Sequence, residues 1–183
     1  IFPIFGLFLT TTPRLLVLLC NHPHIFQKVI DETNENNVHN LTFLRKCIME
    51  TLRLNSPVIS LFRTVEKDIV LNKKYFKKGT QLLLLTNPIL RQSQHFSDAY
   101  KFKPERWNEK LEKEYYAISF SQGPQKCPGK ELAIFLVKSF VFNLIKTKKI
   151  GINNKLNSSK KVNINNIQQV INTCDVVFKL EKI

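Results

Sequence analysis

The chain holds 183 residues, about the size of one ordinary domain, with 43% hydrophobic residues and 14 phenylalanines, ample for a core. Its 28 Lys and Arg exceed its 14 Asp and Glu by a formal charge of +14. The lysines are scattered, with no basic stripe interleaved with stacking aromatics, so no nucleic acid is expected as a partner and the charge reads as a compositional bias that keeps the chain soluble. Four cysteines without a CxxC pair argue against zinc, and an unpaired thiol suits a reducing compartment or a cytosol-facing membrane surface.

Residues 1–20 are largely apolar, but Thr10-Thr11-Thr12-Pro13-Arg14 sets a proline and a charge in their midst, the mark of a buried or kinked segment rather than a clean membrane span. Residues 15–21 and 23–32 read as two helices punctuated by Asn21-His22-Pro23, because the residue before proline avoids the helical region. A third helix is predicted over 41–55, where Glu50 and Arg53 stand three apart on one face and Pro57 follows as a stop. Short strands follow at 58–63, 68–71 and 75–85, the last interrupted at Lys77-Lys78-Gly79-Thr80, with a turn at Asn72-Lys73-Lys74. Irregular chain carrying Arg91 and Asp98 leads to Phe102-Lys103-Pro104-Glu105-Arg106-Trp107. Residues 130–149 repeat apolar side chains at a helical period. The last thirty or so residues read as a loop around 162–171 and a hairpin strand at 176–180.

Just before the last helix, residues 120–129 place Cys127 in a loop shaped by Gly123, Pro124, Pro128 and Gly129. Pro128 suits a first helical turn, where its missing N–H costs nothing. The free amides and positive dipole end of the helix then lie beside the sulfur and favour its anion. Gly123 and Gly129 let the backbone bend and let a flat ligand approach. An anionic cysteine beside a flat ligand suggests axial ligation of haem iron. Cys20 and Cys47 sit in apolar helical contexts and Cys174 enters the last strand, so burial is their expected role. The four histidines, His22, His24, His39 and His95, have no metal or triad spacing and read as surface or capping residues.

Phe120, Gly123, Cys127 and Gly129 stand at the spacing of the cysteine-loop signature of the cytochrome P-450 haem-thiolate enzymes. Glu50-Thr51-Leu52-Arg53 and the run 102–107 follow at about the separation seen in that family. The chain therefore resembles the family's C-terminal half, with the N-terminal half expected outside residues 1–183. The resemblance implies a mainly α fold with a small β-sheet: the end of the long distal helix, the ExxR helix, short strands, a meander, the cysteine loop, a proximal helix and a terminal β-hairpin. It implies haem b held by Cys127 as metal ligand, with Phe120, Gly123, Gln125, Gly129 and Arg63 around it, Arg63 as a propionate partner. It also implies that Arg106 reaches back to join Glu50 and Arg53 in a structural triad.

The resemblance further implies monooxygenation of a small apolar substrate using O2 and electrons from an acidic donor protein docking near Lys126 and Lys130. Any membrane association would run through a segment outside this chain. Two departures stand out. Where the family sets an acid and a threonine for proton delivery, this chain has about Gly6, Leu7 and Phe8, and no carboxylate precedes Asp31; Thr10 and Thr11 fill the catalytic role only if the helix slips by one turn. Gln125 replaces the usual basic residue two before the cysteine and brings no charge. These departures leave a haem-thiolate isomerase or peroxygenase, or a catalytically inactive remnant, as alternative readings.

Overall fold

The computed structural model describes residues 2–152 and 178–182, with side chains for 6–148 and 150. Helix α1 (Phe2–Asn21) runs unbroken through Pro13, longer than the 15–21 expected. A proline inside a helix removes one N–H and crowds the preceding turn. Here burial of Thr11, Thr12 and the run Leu15, Leu16, Val17, Leu18 and Leu19 outweighs that loss. Among the described residues no helix is long and apolar enough to cross a membrane. The chain turns at His22, whose ring nitrogen bonds the Leu18 carbonyl at 2.7 Å, and α2 (Pro23–Glu35) begins with its proline in the first turn.

Helix α3 (Thr42–Leu54) is started by a side chain from elsewhere. One Glu32 oxygen accepts from the Phe43 N–H at 2.6 Å and the Thr42 hydroxyl at 3.1 Å, and the other from the Leu44 N–H at 2.9 Å. A carboxylate on the free amides of a helix start is the favourable polarity for the macrodipole. Helix α6 (Lys130–Thr147) completes the bundle, in which α1, α2, α3 and α6 pack on one another. Their shared core includes Leu15, Leu19, Leu44, Ile48, Leu52, Trp107, Ile134 and Val137.

The expected small sheet is realised as separate two-stranded pairs. β1 (Ser60–Thr64) pairs antiparallel with β4 (Gln81–Leu85), from Ser60↔Leu85 to Thr64↔Gln81. β2 (Ile69–Leu71) and β3 (Lys74–Phe76) form a hairpin whose turn residues Asn72 and Lys73 both have positive φ, 48° and 63°. α4 (Thr86–Leu90) follows, and Leu90, Phe96, Ala99 and Ile118 make a small second core under the irregular stretch. α5 (Glu109–Lys113) leads into the cysteine loop.

Three expectations are corrected. The last helix ends at Thr147, not 149: Lys148 is already extended and opens β5 (Lys148–Ile152), where β-branched isoleucines flank a glycine. β5 pairs antiparallel with β6 (Phe178–Lys182), so the terminal strand partners chain that the helical pattern had absorbed. Pro128 stands outside the helix, before the capping Gly129, so it shapes the approach to α6 rather than its first turn. The loop expected at 162–171 and Cys174 lie outside the described residues.

Candidate active site

A buried carboxylate anchors the site. Glu50, on the inner face of α3, is fully buried and accepts five hydrogen bonds. Arg53 approaches as a fork, Nε and Nη2 each 2.9 Å from a different Glu50 oxygen. Oε1 also accepts from the Lys103 N–H at 3.0 Å and Arg106 Nε at 3.1 Å, and Oε2 from the Trp107 indole N–H at 2.8 Å. Arg53 is itself buried and spends its remaining donors on the carbonyls of Leu90, Ala99 and Lys101. The structure thus brings the predicted Glu50, Arg53 and Arg106 together. It adds two donors the sequence reading did not assign, the Lys103 amide and Trp107. Trp107 carried a legible signal: a buried indole N–H needs an acceptor.

Downstream of this anchor the chain turns into the cysteine loop. The Cys127 N–H bonds the Phe120 carbonyl at 2.9 Å and closes the loop on itself. Gly123 takes φ +69°, where a side chain is strained, and a Cβ built on it would meet nothing within 4 Å. Gly129 has φ −90°, so the freedom expected of it is not what the backbone uses. The second special conformation belongs instead to Ser121, at φ 59° and ψ 176°, a region that normally takes glycine. Ser121 is held there by its N–H on the Ile118 carbonyl and by Arg63 Nη2 on its hydroxyl at 3.1 Å. Arg63 therefore ties β1 to the cysteine loop. Phe120 is buried in the main core and Cys127 packs, half-buried, against it; Gln125 is exposed.

A charged cluster surrounds the loop. Arg45 of α3 reaches Glu112 of α5 at 2.9 Å and Glu131 in the first turn of α6 at 2.7 Å, while Lys130 reaches Glu112 at 2.7 Å. Burial pulls the Glu112 carboxyl upward, but the hydrogen bonds from Arg45 and Lys130 outweigh it and leave the group below the usual carboxylate range. Glu131 is lowered by its bond to Arg45. Gln122 closes the meander by donating to the carbonyls of Glu112 and Glu114 at 3.0 and 3.2 Å. Lys130, expected as a free cation on the docking face, is paired, only 12% exposed, and lies over the Phe120 ring. Lys126 is exposed. Nothing in the sequence signalled this cluster, whose members are up to 86 residues apart.

On α1, the Thr10 hydroxyl is bonded within the helix, to the Gly6 carbonyl at 2.8 Å and the Leu7 carbonyl at 3.3 Å. Thr11 and Thr12 are buried with hydroxyls that lack a partner. The structure thus separates two threonines that the sequence reading treated alike. Arg91, singled out with Asp98, bonds the Leu54 carbonyl at the end of α3, and burial lowers its pKa. Asp98 pairs with Lys103 and Lys101, which hold its carboxyl down at about 2.

These residues fit a haem. Among the described residues no group of three His, Cys, Asp or Glu is placed to hold a bare ion. One cysteine suits a metal whose other ligands come from a macrocycle, and open space over Gly123 leaves room for a flat group.

Comparison with known proteins agrees with this geometry. The family model described as cytochrome P450 matches residues 9–168. The mitochondrial 1,25-dihydroxyvitamin D(3) 24-hydroxylase of Mus musculus is 32% identical over 139 residues, 68% of this chain and 27% of that protein. A cytochrome P450-like protein, L532, of Acanthamoeba polyphaga mimivirus is 35% identical over 164 residues, 80% of this chain and 35% of that protein. Cytochrome P450 4ae1 of Drosophila melanogaster is 30% identical over 155 residues, 75% of this chain and 31% of that protein. The chain thus spans about a quarter to a third of the length of these curated relatives, and across that span it belongs to the cytochrome P450 family.

Proposed function

We propose that this chain is the haem-binding part of a haem-thiolate monooxygenase, acting on a small apolar substrate with O2 and electrons from a donor protein. The closed loop carries the reading: the Cys127 N–H returns to the Phe120 carbonyl around a left-handed Gly123 whose missing side chain leaves open space. When bound, haem b supplies the oxygen-activating chemistry, which an electron-rich thiolate ligand favours.

The chain's own residues do the holding. Cys127 would supply the thiolate that holds the haem, Phe120 packs the loop into the core, and Gly123 and Gly129 would line the approach. Arg63, beside Ser121, is the cation for a propionate, and Gln125 can add a neutral hydrogen bond. The Glu50–Arg53–Arg106 unit fixes the segment that leads to the loop. Lys126 offers an exposed charge to an acidic electron donor, and opposite charge raises encounter rates. The test is Cys127→Ser in the intact protein: the red-shifted Soret band of the CO-bound ferrous form disappears, and its persistence refutes the ligand.

A second reading, peroxygenase or isomerase chemistry, is favoured by α1. The helix contains no carboxylate, and the Thr10 hydroxyl is already committed to the Gly6 and Leu7 carbonyls. Among the described residues of the helix, Thr11 and Thr12, with their unpartnered buried hydroxyls, remain to move a proton. Peroxide, already reduced, depends less on such a relay. Under this reading product forms faster with a hydroperoxide than with O2 and a reductase, and well-coupled O2-driven turnover excludes it.

A further inference from the structure

Beside the buried Glu50 anchor lies a cavity that the haem site does not use. Its volume is about 260 Å³, and its walls include His95, Ser97, Arg106, Lys110, Glu114 and Tyr116. Charge is left over at Arg106. Two guanidiniums, those of Arg53 and Arg106, share the single carboxylate of Glu50. Arg53 is fully buried and also donates to three carbonyls, so the uncompensated charge lies toward Arg106, whose side chain is 11% exposed. Arg106 spends Nε on Glu50 and Nη1 on the Ser97 carbonyl at 2.8 Å, but its Nη2 is buried and has no acceptor among the described residues. A buried donor without an acceptor is costly, and in a folded protein it marks the place of a bound ion or water.

The rest of the wall has the same polarity. Lys110 adds a second cation, exposed and in no ion pair among the described residues, against the one acid Glu114. Asn108 turns its oxygen to the Leu111 N–H at 2.9 Å to cap α5, which leaves its amide NH2 as a further donor on the wall. His95 and Tyr116 stack at 4.2 Å and 9°, with Phe96 edge-on to Tyr116 at 5.6 Å, so part of the wall is aromatic.

We propose that this cavity binds a phosphate dianion, free or as the charged end of a small phosphomonoester, which accepts from Arg106, Lys110 and Asn108 and neutralises the charge that Glu50 leaves over. Arginine selects oxyanions because its planar fork matches their oxygens. Phosphate fits better than a carboxylate, because a dianion balances Arg106 and Lys110 together and has oxygens enough for three donor side chains. The volume falls below that of drug-sized pockets, which start at about 300 Å³, so the ligand is small. Bound there, the ion ties residues 95–97 to 106–114, the segment that leads to the cysteine loop.

The experiment is calorimetric titration of the intact protein with inorganic phosphate, and separately with phenyl phosphate, at an ionic strength held constant with chloride. Saturable binding at one site is expected for both. Tighter binding of phenyl phosphate assigns the site to an organic monoester, and equal or weaker binding assigns it to the free ion. Lys110→Gln weakens binding about threefold and Glu114→Gln tightens it by a similar factor, each the worth of one exposed ion pair. Lys67→Gln, the same change of charge outside the cavity wall, leaves it unchanged. Backbone hydrogen exchange slows in 95–97 and 106–114 when phosphate binds. The absence of saturable binding overturns the proposal, as does weaker binding in Glu114→Gln. Equal losses in Lys110→Gln and Lys67→Gln overturn it too, and make the effect one of overall charge.

Discussion

Replacing Glu50 with alanine strips five hydrogen bonds from one buried point and leaves the Arg53 guanidinium, itself fully buried, without its counter-charge. Breaking a buried pair in this way costs about 3–5 kcal/mol. Arg106→Ala is milder, because Glu50 keeps both Arg53 contacts and the Arg106 side chain is 11% exposed. Arg53→Lys behaves like a loss, since an ammonium cannot reproduce a fork that bonds two carboxylate oxygens and three carbonyls. Stability is read by denaturant titration of the intact protein, and haem content from its spectrum. In the double variant Glu50→Ala, Arg106→Ala the losses fall short of their sum by at least about 1 kcal/mol, because the two groups share one contact. Losses additive to within about 0.5 kcal/mol, or full haem occupancy in Glu50→Ala, refute the view that the three residues act as one unit.

Gly123→Ala separates backbone strain from ligand approach. At φ +69° alanine costs about 1–2 kcal/mol in the haem-free protein although its Cβ meets nothing there, and haem affinity falls by more than this strain alone explains; an unchanged affinity argues against a haem over the loop. The charged cluster predicts an acid dependence. Because Glu112 and Glu131 are held below the usual range, their contribution is present above the unfolded-state pKa and is lost as pH falls through their lowered folded values. The stability difference between wild type and Glu112→Gln, about 1 kcal/mol near neutrality, therefore closes in acid, and a difference constant with pH counts against the cluster.

Much of this protein was legible in local chemistry. Glu50 and Arg53 announced their pairing because helix geometry alone puts residues three apart on one face. The punctuation at His22-Pro23 and the strand breaks at 77–80 follow from backbone sterics that act residue by residue. The cysteine loop showed itself through its glycines, prolines and thiol, although Ser121 rather than Gly129 proved to carry the second unusual backbone conformation. The partners of these groups were decided elsewhere. Trp107 and the Lys103 amide reach Glu50, and Glu32 caps α3, only because distant segments meet in the folded core. Lys130 looked like a free surface charge until α5 brought Glu112 to it, and the three threonines of α1 became unequal only when packing buried two of them. The end of α6 was misread for the same reason, since Lys148–Ile152 takes its strand from pairing with Phe178–Lys182, and no local periodicity records a partner that far along the chain.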